Sequence, residues 1–365
     1  MALAVARFAT VHFGPLAIWQ KTVITFLSVL PAWLSLHLIE NPIRYTNGTL
    51  RQSRKAIVFG LSLTMLTGIL GHATWRISKV PPPNEVERAR AATSLRTMTL
   101  AQWISNSPIT INTDSLVPRP AAALSDWYIQ DCKTSKHSSE LVSCIFGDAA
   151  GYLTIALVGD SMAQQWLSAL DSISARNGWR IVSFIKGSCA WTVEEIGVPV
   201  DHHGEQYPEC GQWSYAVSEE LRALRPEVIL TSQLVPYILD ANNELSEQLM
   251  TDSLVSTWSE AISWGSKVGV VISSPQPWTN IPDCVERNSN SLSSCKFSLS
   301  NPEAFGAARV QQAAAELVKS VRIFDFTEHL CSSEECPAVI GDVLVYIDAH
   351  HLSRTFVDYL VPEIE

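Results

Sequence analysis

Two long stretches without a formally charged residue lie near the start of the chain and limit what its first part can form. They cover residues 22–39 and 56–75. A helix of about twenty apolar residues crosses the hydrocarbon core of a bilayer, so both stretches predict transmembrane helices, the first only just long enough. A pair of buried core helices is the alternative, but the charges that bound the second stretch favour the membrane.

The loop between these stretches, residues 41–55, predicts how they are oriented. It contains four basic residues and no acidic one: Arg44, Arg51, Arg54 and Lys55. Loops of this kind remain on the cytoplasmic side of a membrane. We therefore expect a protein of the cell membrane, in contact with the lipid bilayer, whose residues 76–365 are extracytoplasmic.

Charge divides at the same place. Residues 1–80 contain eight basic residues and one acidic residue, whereas the rest of the chain contains 18 basic and 35 acidic residues. The whole chain has a net charge of −10, which argues against nucleic acid as a partner.

All eight cysteines follow residue 131 and form local couples. An oxidising compartment favours disulfides between sequential cysteines. The predicted pairs are Cys132–Cys144, Cys189–Cys210, Cys284–Cys295 and Cys331–Cys336. A zinc site is the alternative, but the chain has no C-x-x-C pair, so we predict no metal site.

Composition and a run of prolines divide the chain into three parts. Residues 1–80 form the membrane segment, three prolines at 81–83 open a polar connector over 81–125, and 126–365 form a globular domain. In that domain, short apolar runs alternate with helical patterns, which predicts an α/β sandwich with a mostly parallel sheet. The predicted strands cover 153–158, 180–185, 227–230, 268–272 and 321–326, and the predicted helices cover 162–175, 214–224, 244–264 and 302–319.

Two short motifs at opposite ends of this domain carry the candidate chemistry. Gly159-Asp160-Ser161 ends the first predicted strand and opens a helix, where free backbone N–H groups can receive an oxyanion. Asp348-Ala349-His350-His351 places a carboxylate three residues before a histidine, the spacing that lets an aspartate orient an imidazole toward a serine. Ser161 as a simple helix cap, with His351 on a helix surface, remains the alternative.

These motifs and their surroundings resemble a known family. LTIALVGDSMAQQWLSAL and CPAVIGDVLVYIDAHHLS are similar to the SGNH (GDSL-like) hydrolases, more specifically to the SGNH domain fused to acyltransferase-3 proteins. WLSLHLIENPIR resembles the end of the acyltransferase-3 membrane domain, so residues 1–80 are implied to be a remnant of one. The resemblance implies an SGNH-hydrolase-like α/β sandwich preceded by two transmembrane helices.

The resemblance also implies roles for particular residues. Ser161 becomes the nucleophile, His351 the general base and Asp348 the residue that orients it. The backbone N–H groups of Ser161 and Gly187 would stabilise the oxyanion. The Asn of the usual G-x-N-D block is absent, and Ser232 and Gln233 stand where it would act. The family usually has His after the serine, where this chain has Met162.

The function implied is that of a membrane-anchored, extracytoplasmic O-acyltransferase, acting on a polysaccharide or glycan of the cell envelope. The acyl group, most simply acetyl, would come from a donor delivered by a membrane acyltransferase domain in cis or in trans. A carbohydrate esterase with water as acceptor, or a catalytically silent glycan-binding domain, are the alternatives. No cofactor is implied.

Four further side chains have two interpretations. Trp191, Trp213 and Trp278 pack in a core or stack on a sugar ring, and His350 is a neighbour of the site or touches substrate. The sequence favours the first interpretation for each of them.

Overall fold

The computed structural model describes one part of the chain almost continuously. Residues Val80–Glu365 form a compact unit separate from Met1–Lys79. The structure describes residues 80–365, except 107–108, 129–130 and 193–196, and it also describes scattered positions between 23 and 69.

The predicted transmembrane segments, 22–39 and 56–75, lie largely outside the described residues. Among the positions that are described, no helix has the length and apolarity that crossing a bilayer requires.

Twelve strands are present in the described residues. They are β1 (Ser143–Gly147), β2 (Leu153–Gly159), β3 (Trp179–Ile185), β4 (Val228–Ser232), β5 (Ile238–Leu239), β6 (Leu245–Ser246), β7 (Lys267–Val271), β8 (Phe297–Ser298), β9 (Arg322–Phe324), β10 (Glu335–Cys336), β11 (Val339–Ile340) and β12 (Val343–Leu344).

Eleven α-helices accompany them among the described residues of 80–365. They are α1 (Glu85–Leu95), α2 (Leu100–Ser105), α3 (Ser161–Gln164), α4 (Leu167–Asn177), α5 (Pro208–Leu224), α6 (Glu247–Ser263), α7 (Ile281–Arg287), α8 (Ala308–Leu317), α9 (Thr327–Leu330), α10 (Arg354–Tyr359) and α11 (Val361–Ile364).

Six of the strands form the central sheet, in the order β1-β3-β2-β4-β7-β9. Strand β1 is antiparallel to β3, and every other neighbouring pair is parallel. The predicted α/β class with a mostly parallel sheet is therefore confirmed. The half-exposed β1 is the one strand of this central sheet that the sequence did not predict.

Alternate side chains of the sheet supply two cores. Ile155 and Leu157 of β2 pack with α4 on one face, whereas Ala156 and Val158 pack with α5 and α6 on the other. Successive side chains of a strand point to opposite faces, so a strand covered on both sides is apolar throughout. This burial explains why the strands stand out in the sequence as uninterrupted apolar runs.

The segment 81–125, predicted as a connector, is folded into the domain instead. Helix α1 is capped by Asn84 and buries Ala91 and Leu95 in the main core. Val117 forms a parallel bridge with Val343, beside β12. The buried face of α1 offers only one large apolar side chain, which explains why no strong periodicity marks this helix.

All eight cysteines are paired as the sequence predicts. The pairs are Cys132–Cys144, Cys189–Cys210, Cys284–Cys295 and Cys331–Cys336. Disulfides persist in oxidising compartments, so this domain is extracytoplasmic.

Candidate active site

The turn after β2 brings the backbone unusually close to the neighbouring strand. Gly159 is paired with Ser232 of β4 and has a φ of +144°. A Cβ atom at Gly159 would lie 2.1 Å from the carbonyl oxygen of Ser232. Only glycine fits here, and the turn leaves Ser161 at the carboxyl edge of the sheet, where open α/β folds place their sites.

The side chain of Asp160 joins this turn to the next strand. Its Oδ1 accepts a hydrogen bond from the N–H of Met162, and its Oδ2 accepts one from the N–H of Leu234, both at 2.8 Å. The carboxyl is completely buried, and burial raises its pKa to about 6 against the effect of these hydrogen bonds. Asp160 thus fixes the turn from inside and does not face a ligand.

The first turn of α3 leaves one N–H group available. The carbonyl of Asp160 accepts from the N–H groups of Ala163 and Gln164 at 3.0 Å, and its side chain takes that of Met162. Of the N–H groups in this turn, only that of Ser161 has no acceptor among the described residues. A developing negative charge next to Ser161 therefore finds a free backbone donor.

The three residues predicted for catalysis lie in one hydrogen-bonded row. His351 Nε2 is 2.7 Å from Ser161 Oγ, and His351 Nδ1 is 2.7 Å from Asp348 Oδ2. The serine hydroxyl donates to Nε2, and the imidazole donates from Nδ1 to the carboxylate. Burial opposes the charge on Asp348, but its hydrogen bonds with His351 and with the N–H of His350 outweigh burial and lower its pKa.

Several contacts hold the turn that carries His351. Asp348 Oδ1 accepts from the N–H of His351 at 2.8 Å, within the turn itself. Gln165 Oε1 accepts from the N–H of Leu352 at 3.0 Å, which ties the turn to the segment after Ser161. The buried Tyr346 donates its hydroxyl to the carbonyl of Pro275. The histidine is thus fixed from both sides of the turn.

A cavity of about 220 Å³ borders this row. Leu124, Trp127, Lys133 and Ile347 line it together with the three aligned residues. The indole of Trp127 stands nearly perpendicular to the His351 ring, with ring centres 5.1 Å apart. The lining combines apolar side chains with a few polar and charged ones, which is typical of sites for small molecules.

Gly187 directly follows a residue that is bonded to the serine turn. The N–H of Lys186, the residue before it, donates to the carbonyl of Gly159 at 3.0 Å. Apart from its two chain neighbours, no described residue has an atom within 4 Å of the position that a Cβ of Gly187 would occupy. The next residue, Ser188, has a φ of +55°, and its hydroxyl is 2.9 Å from His202 Nδ1.

Ser232 and Gln233 are placed differently from what the sequence predicts. Gln233 is buried, and its amide donates to the carbonyl of Val235 at 2.9 Å and to the sulfur of Met250 at 3.4 Å. Both amide hydrogens are thereby used in the interior, which leaves none for an oxyanion. Ser232 is also buried, and its hydroxyl has no partner among the described residues.

The most unexpected residue near the site is Lys186. It is completely buried, although lysine almost never is. Its ammonium donates to the carbonyls of Ser135, Lys136 and Ser138 at 2.7–3.0 Å and lies 4.8 Å from the centre of the Tyr207 ring. Burial lowers its pKa to about 8.

Of the three tryptophans singled out in the sequence, two are core residues. Trp191 and Trp213 are fully buried in the core shared with α5 and α6. Trp278 is 45% exposed and packs against His350. Nothing in the sequence separates the three, because burial depends on which strand edge the rest of the fold leaves open.

A mostly parallel sheet with a Ser–His–Asp row at its carboxyl edge is typical of a general class of α/β proteins, to which hydrolases and acyltransferases with a serine nucleophile belong. The particular family follows from the sequence. The sequence model of the family described as the SGNH domain fused to AT3 domains matches residues 131–365, and the chain belongs to this family. Membership supports an enzyme that handles acyl groups.

Three solved structures are similar in fold. The periplasmic domain of a lipopolysaccharide acetyltransferase from Salmonella ser. Paratyphi A is 14% identical, with 75% of this chain and 95% of that chain covered and a TM-score of 0.43. An acylhydrolase candidate from Bacteroides fragilis is 14% identical, with 60% of this chain and 87% of that chain covered and a TM-score of 0.35. A GDSL-like lipase from Bacteroides thetaiotaomicron is 12% identical, with 58% of this chain and 85% of that chain covered and a TM-score of 0.32. No protein of curated function matches the chain.

Proposed function

We propose that the protein is a membrane-anchored, extracytoplasmic O-acyltransferase that transfers an acyl group, acetyl in the simplest case, to a glycan of the cell envelope. The observation that carries this proposal is the row of hydrogen bonds from Ser161 through His351 to Asp348, beside a small cavity.

In the first half of the reaction, Ser161 Oγ attacks the carbonyl carbon of the donor ester, and His351 Nε2 takes the hydroxyl proton. Asp348 stabilises the imidazolium that forms, since its carboxylate accepts from Nδ1. The tetrahedral intermediate collapses, the bond to the donor's leaving group breaks, and His351 returns its proton to that group. An acyl-Ser161 ester remains.

In the second half, a sugar hydroxyl takes the place of the leaving group. His351 Nε2 accepts its proton, the sugar oxygen attacks the acyl-Ser161 carbonyl, and the bond to Ser161 Oγ breaks. The proton then returns to Ser161, and the sugar leaves as an O-acyl ester. In both halves, the N–H groups of Ser161 and Gly187 are the donors available to the oxyanion.

Two alternatives share the same residues or the same fold. Water in place of the sugar hydroxyl makes the protein a carbohydrate esterase. A catalytically silent glycan-binding domain is disfavoured by the two 2.7 Å distances, since such a domain needs no aligned serine, histidine and aspartate. The membrane anchor of the proposal rests on the uncharged segments 22–39 and 56–75, and a membrane acyltransferase domain in cis or in trans would deliver the acyl donor.

The test uses the full chain in detergent micelles, with its disulfides formed, and 4-nitrophenyl acetate as donor. Ser161→Ala should reduce ester turnover by at least ~10³-fold, as removal of the nucleophile from such a row does. Ser263→Ala, on the exposed side of α6, is the matched control and should turn over like the unchanged chain.

Adding methyl pyranosides to the same reaction separates the transferase from the esterase. Acetylated glycoside, detected by mass spectrometry, indicates transfer, whereas free acetate alone indicates hydrolysis. Equal turnover by the Ser161→Ala variant and the unchanged chain contradicts the proposal.

A further inference from the structure

Trp278 is a large apolar side chain held at the surface in an unusual backbone conformation. It is 45% exposed and has a φ of +51°, which bulky residues rarely adopt. Its N–H donates to the carbonyl of Ala349 at 3.1 Å, and its indole Nε1 donates to the carbonyl of Glu303 at 2.7 Å. The indole is therefore fixed in place, and strain of this kind concentrates where ligands are held.

The indole lies one imidazole away from the proposed general base. The rings of Trp278 and His350 are nearly perpendicular, at 82°, with centres 4.6 Å apart, and the His350 ring is 6.1 Å from that of His351. In a perpendicular pair, His350 covers at most one face of the indole. The exposed part of Trp278 therefore offers a flat apolar surface beside the site.

A neighbouring side-chain amide determines which ring nitrogen of His350 carries the proton. The buried amide of Gln276 donates from Nε2 to the hydroxyl of Ser273 at 3.2 Å, so its Oε1 faces His350 Nδ1 at 3.3 Å. Gly306 leaves room for this amide, because a Cβ there would lie 2.5 Å from Gln276 Nε2. Burial and the nearby His351 lower the pKa of His350 to about 4. The neutral ring thus donates from Nδ1, and its Nε2 is left as a hydrogen-bond acceptor without a partner among the described residues.

We propose that Trp278 and His350 form the acceptor subsite, in which a pyranose ring stacks on the indole and one of its hydroxyls donates to His350 Nε2. A pyranose has an apolar C–H face and a rim of hydroxyls, which matches a flat aromatic surface edged by a neutral acceptor. The ring bound there would present a further hydroxyl toward His351 and the acyl-Ser161 ester. This inference names the acceptor site of the function proposed above and rests on it.

Binding of simple glycosides tests the subsite without any chemistry. The full chain carrying Ser161→Ala is mixed, in micelles, with methyl glycosides of glucose, galactose, mannose and rhamnose, and contact is detected by saturation-transfer NMR. At least one glycoside should receive saturation on its ring protons. Adding Trp278→Ala should weaken its binding roughly ten-fold, the loss expected for an aromatic contact of this size.

Two further variants make the result specific. Trp278→Phe keeps a flat ring but loses the hydrogen bond to Glu303, so it should bind more weakly than the unchanged chain and more tightly than Trp278→Ala. Tyr152→Ala removes another exposed aromatic, at the opposite end of β2, and should leave glycoside binding unchanged.

The outcomes separate this inference from the proposed function. If none of the four glycosides binds, or if Trp278→Ala binds them as Tyr152→Ala does, the acceptor subsite is wrong, whatever the ester assay gives. If binding depends on Trp278 but Ser161→Ala does not slow ester turnover, the glycan subsite stands and the transferase does not.

Discussion

Asp160→Asn replaces one oxygen of a completely buried carboxyl with an amide nitrogen and keeps its size. Both oxygens of Asp160 accept backbone N–H groups at 2.8 Å, from Met162 and Leu234. In the variant, the amide nitrogen must face one of these donors, and that N–H loses its acceptor. An unsatisfied buried donor costs about 1–3 kcal/mol, and this loss in the variant does not depend on pH.

The same substitution also removes a dependence on pH. The pKa of Asp160 is raised by burial to about 6, whereas an unfolded aspartate has a pKa of about 3.9. Between these values the folded chain keeps a proton that the unfolded chain has lost. This contribution is therefore fully present below pH ~4 and lost as the pH rises through about 6, and two pKa units correspond to about 3 kcal/mol. The asparagine variant lacks it.

The unfolding free energy of the unchanged chain, minus that of Asp160→Asn, should therefore be larger at pH 4 than at pH 8, by about 2 kcal/mol. Urea unfolding of the oxidised chain, followed by tryptophan fluorescence at both pH values, measures it. Asp283→Asn, at a side chain that is 62% exposed, is the matched control and should show no comparable change. A difference that is equal at the two pH values, or smaller at pH 4, refutes the reasoning about Asp160.

Two further predictions concern the turn before Ser161 and the membrane segment. Gly159→Ala forces a Cβ to within 2.1 Å of the Ser232 carbonyl oxygen at a φ of +144°, and should lower the free energy of unfolding by about 3 kcal/mol. Gly187→Ala, where the described residues leave space for a Cβ, should change it by less than about 1 kcal/mol. Urea unfolding of both variants measures the two losses, and equal losses contradict the prediction. A fluorescent-protein fusion at Gly48 should report the cytoplasm, and an alkaline phosphatase fusion at Asn84 should report the extracytoplasmic side; the reverse pattern contradicts the predicted orientation.

The sheet was predictable from the sequence because of how it is buried. Strands β2, β3 and β4 are covered on both faces, so each has an apolar run that polar segments bound. Ser161, Asp348 and His351 were predictable for another reason, since a serine after a buried strand and an aspartate three residues before a histidine are patterns set by local chain geometry.

The contacts around these residues were not predictable, because they depend on partners that are distant in the sequence. Lys186 is buried only because three carbonyls of the segment 135–138 surround its ammonium. Gln233 follows its strand where an amide donor was expected, but the sulfur of Met250 and the carbonyl of Val235 take its hydrogens. Residue type and spacing give the position of such a side chain along the chain, and not the direction in which it points.

The turn that carries His351 is hydrogen-bonded to the segment that carries Trp278. The N–H of Trp278 donates to the carbonyl of Ala349, and the N–H of Ile281 lies 3.4 Å from the carbonyl of Asp348, so the segment after β7 is bonded to the turn that carries His351. Ser161 is positioned by β2 and by the Asp160 link to Leu234. In the proposed reaction, a sugar stacked on Trp278 would therefore be positioned relative to His351, the group that removes its proton. Gln165, directly after α3, links this framework to the serine, since its Oε1 accepts from the N–H of Leu352 at 3.0 Å and its Nε2 donates to Ser274 Oγ at 3.4 Å. In the proposed reaction, one hydrogen-bonded framework would thus hold the acceptor, the base and the nucleophile in the reacting geometry.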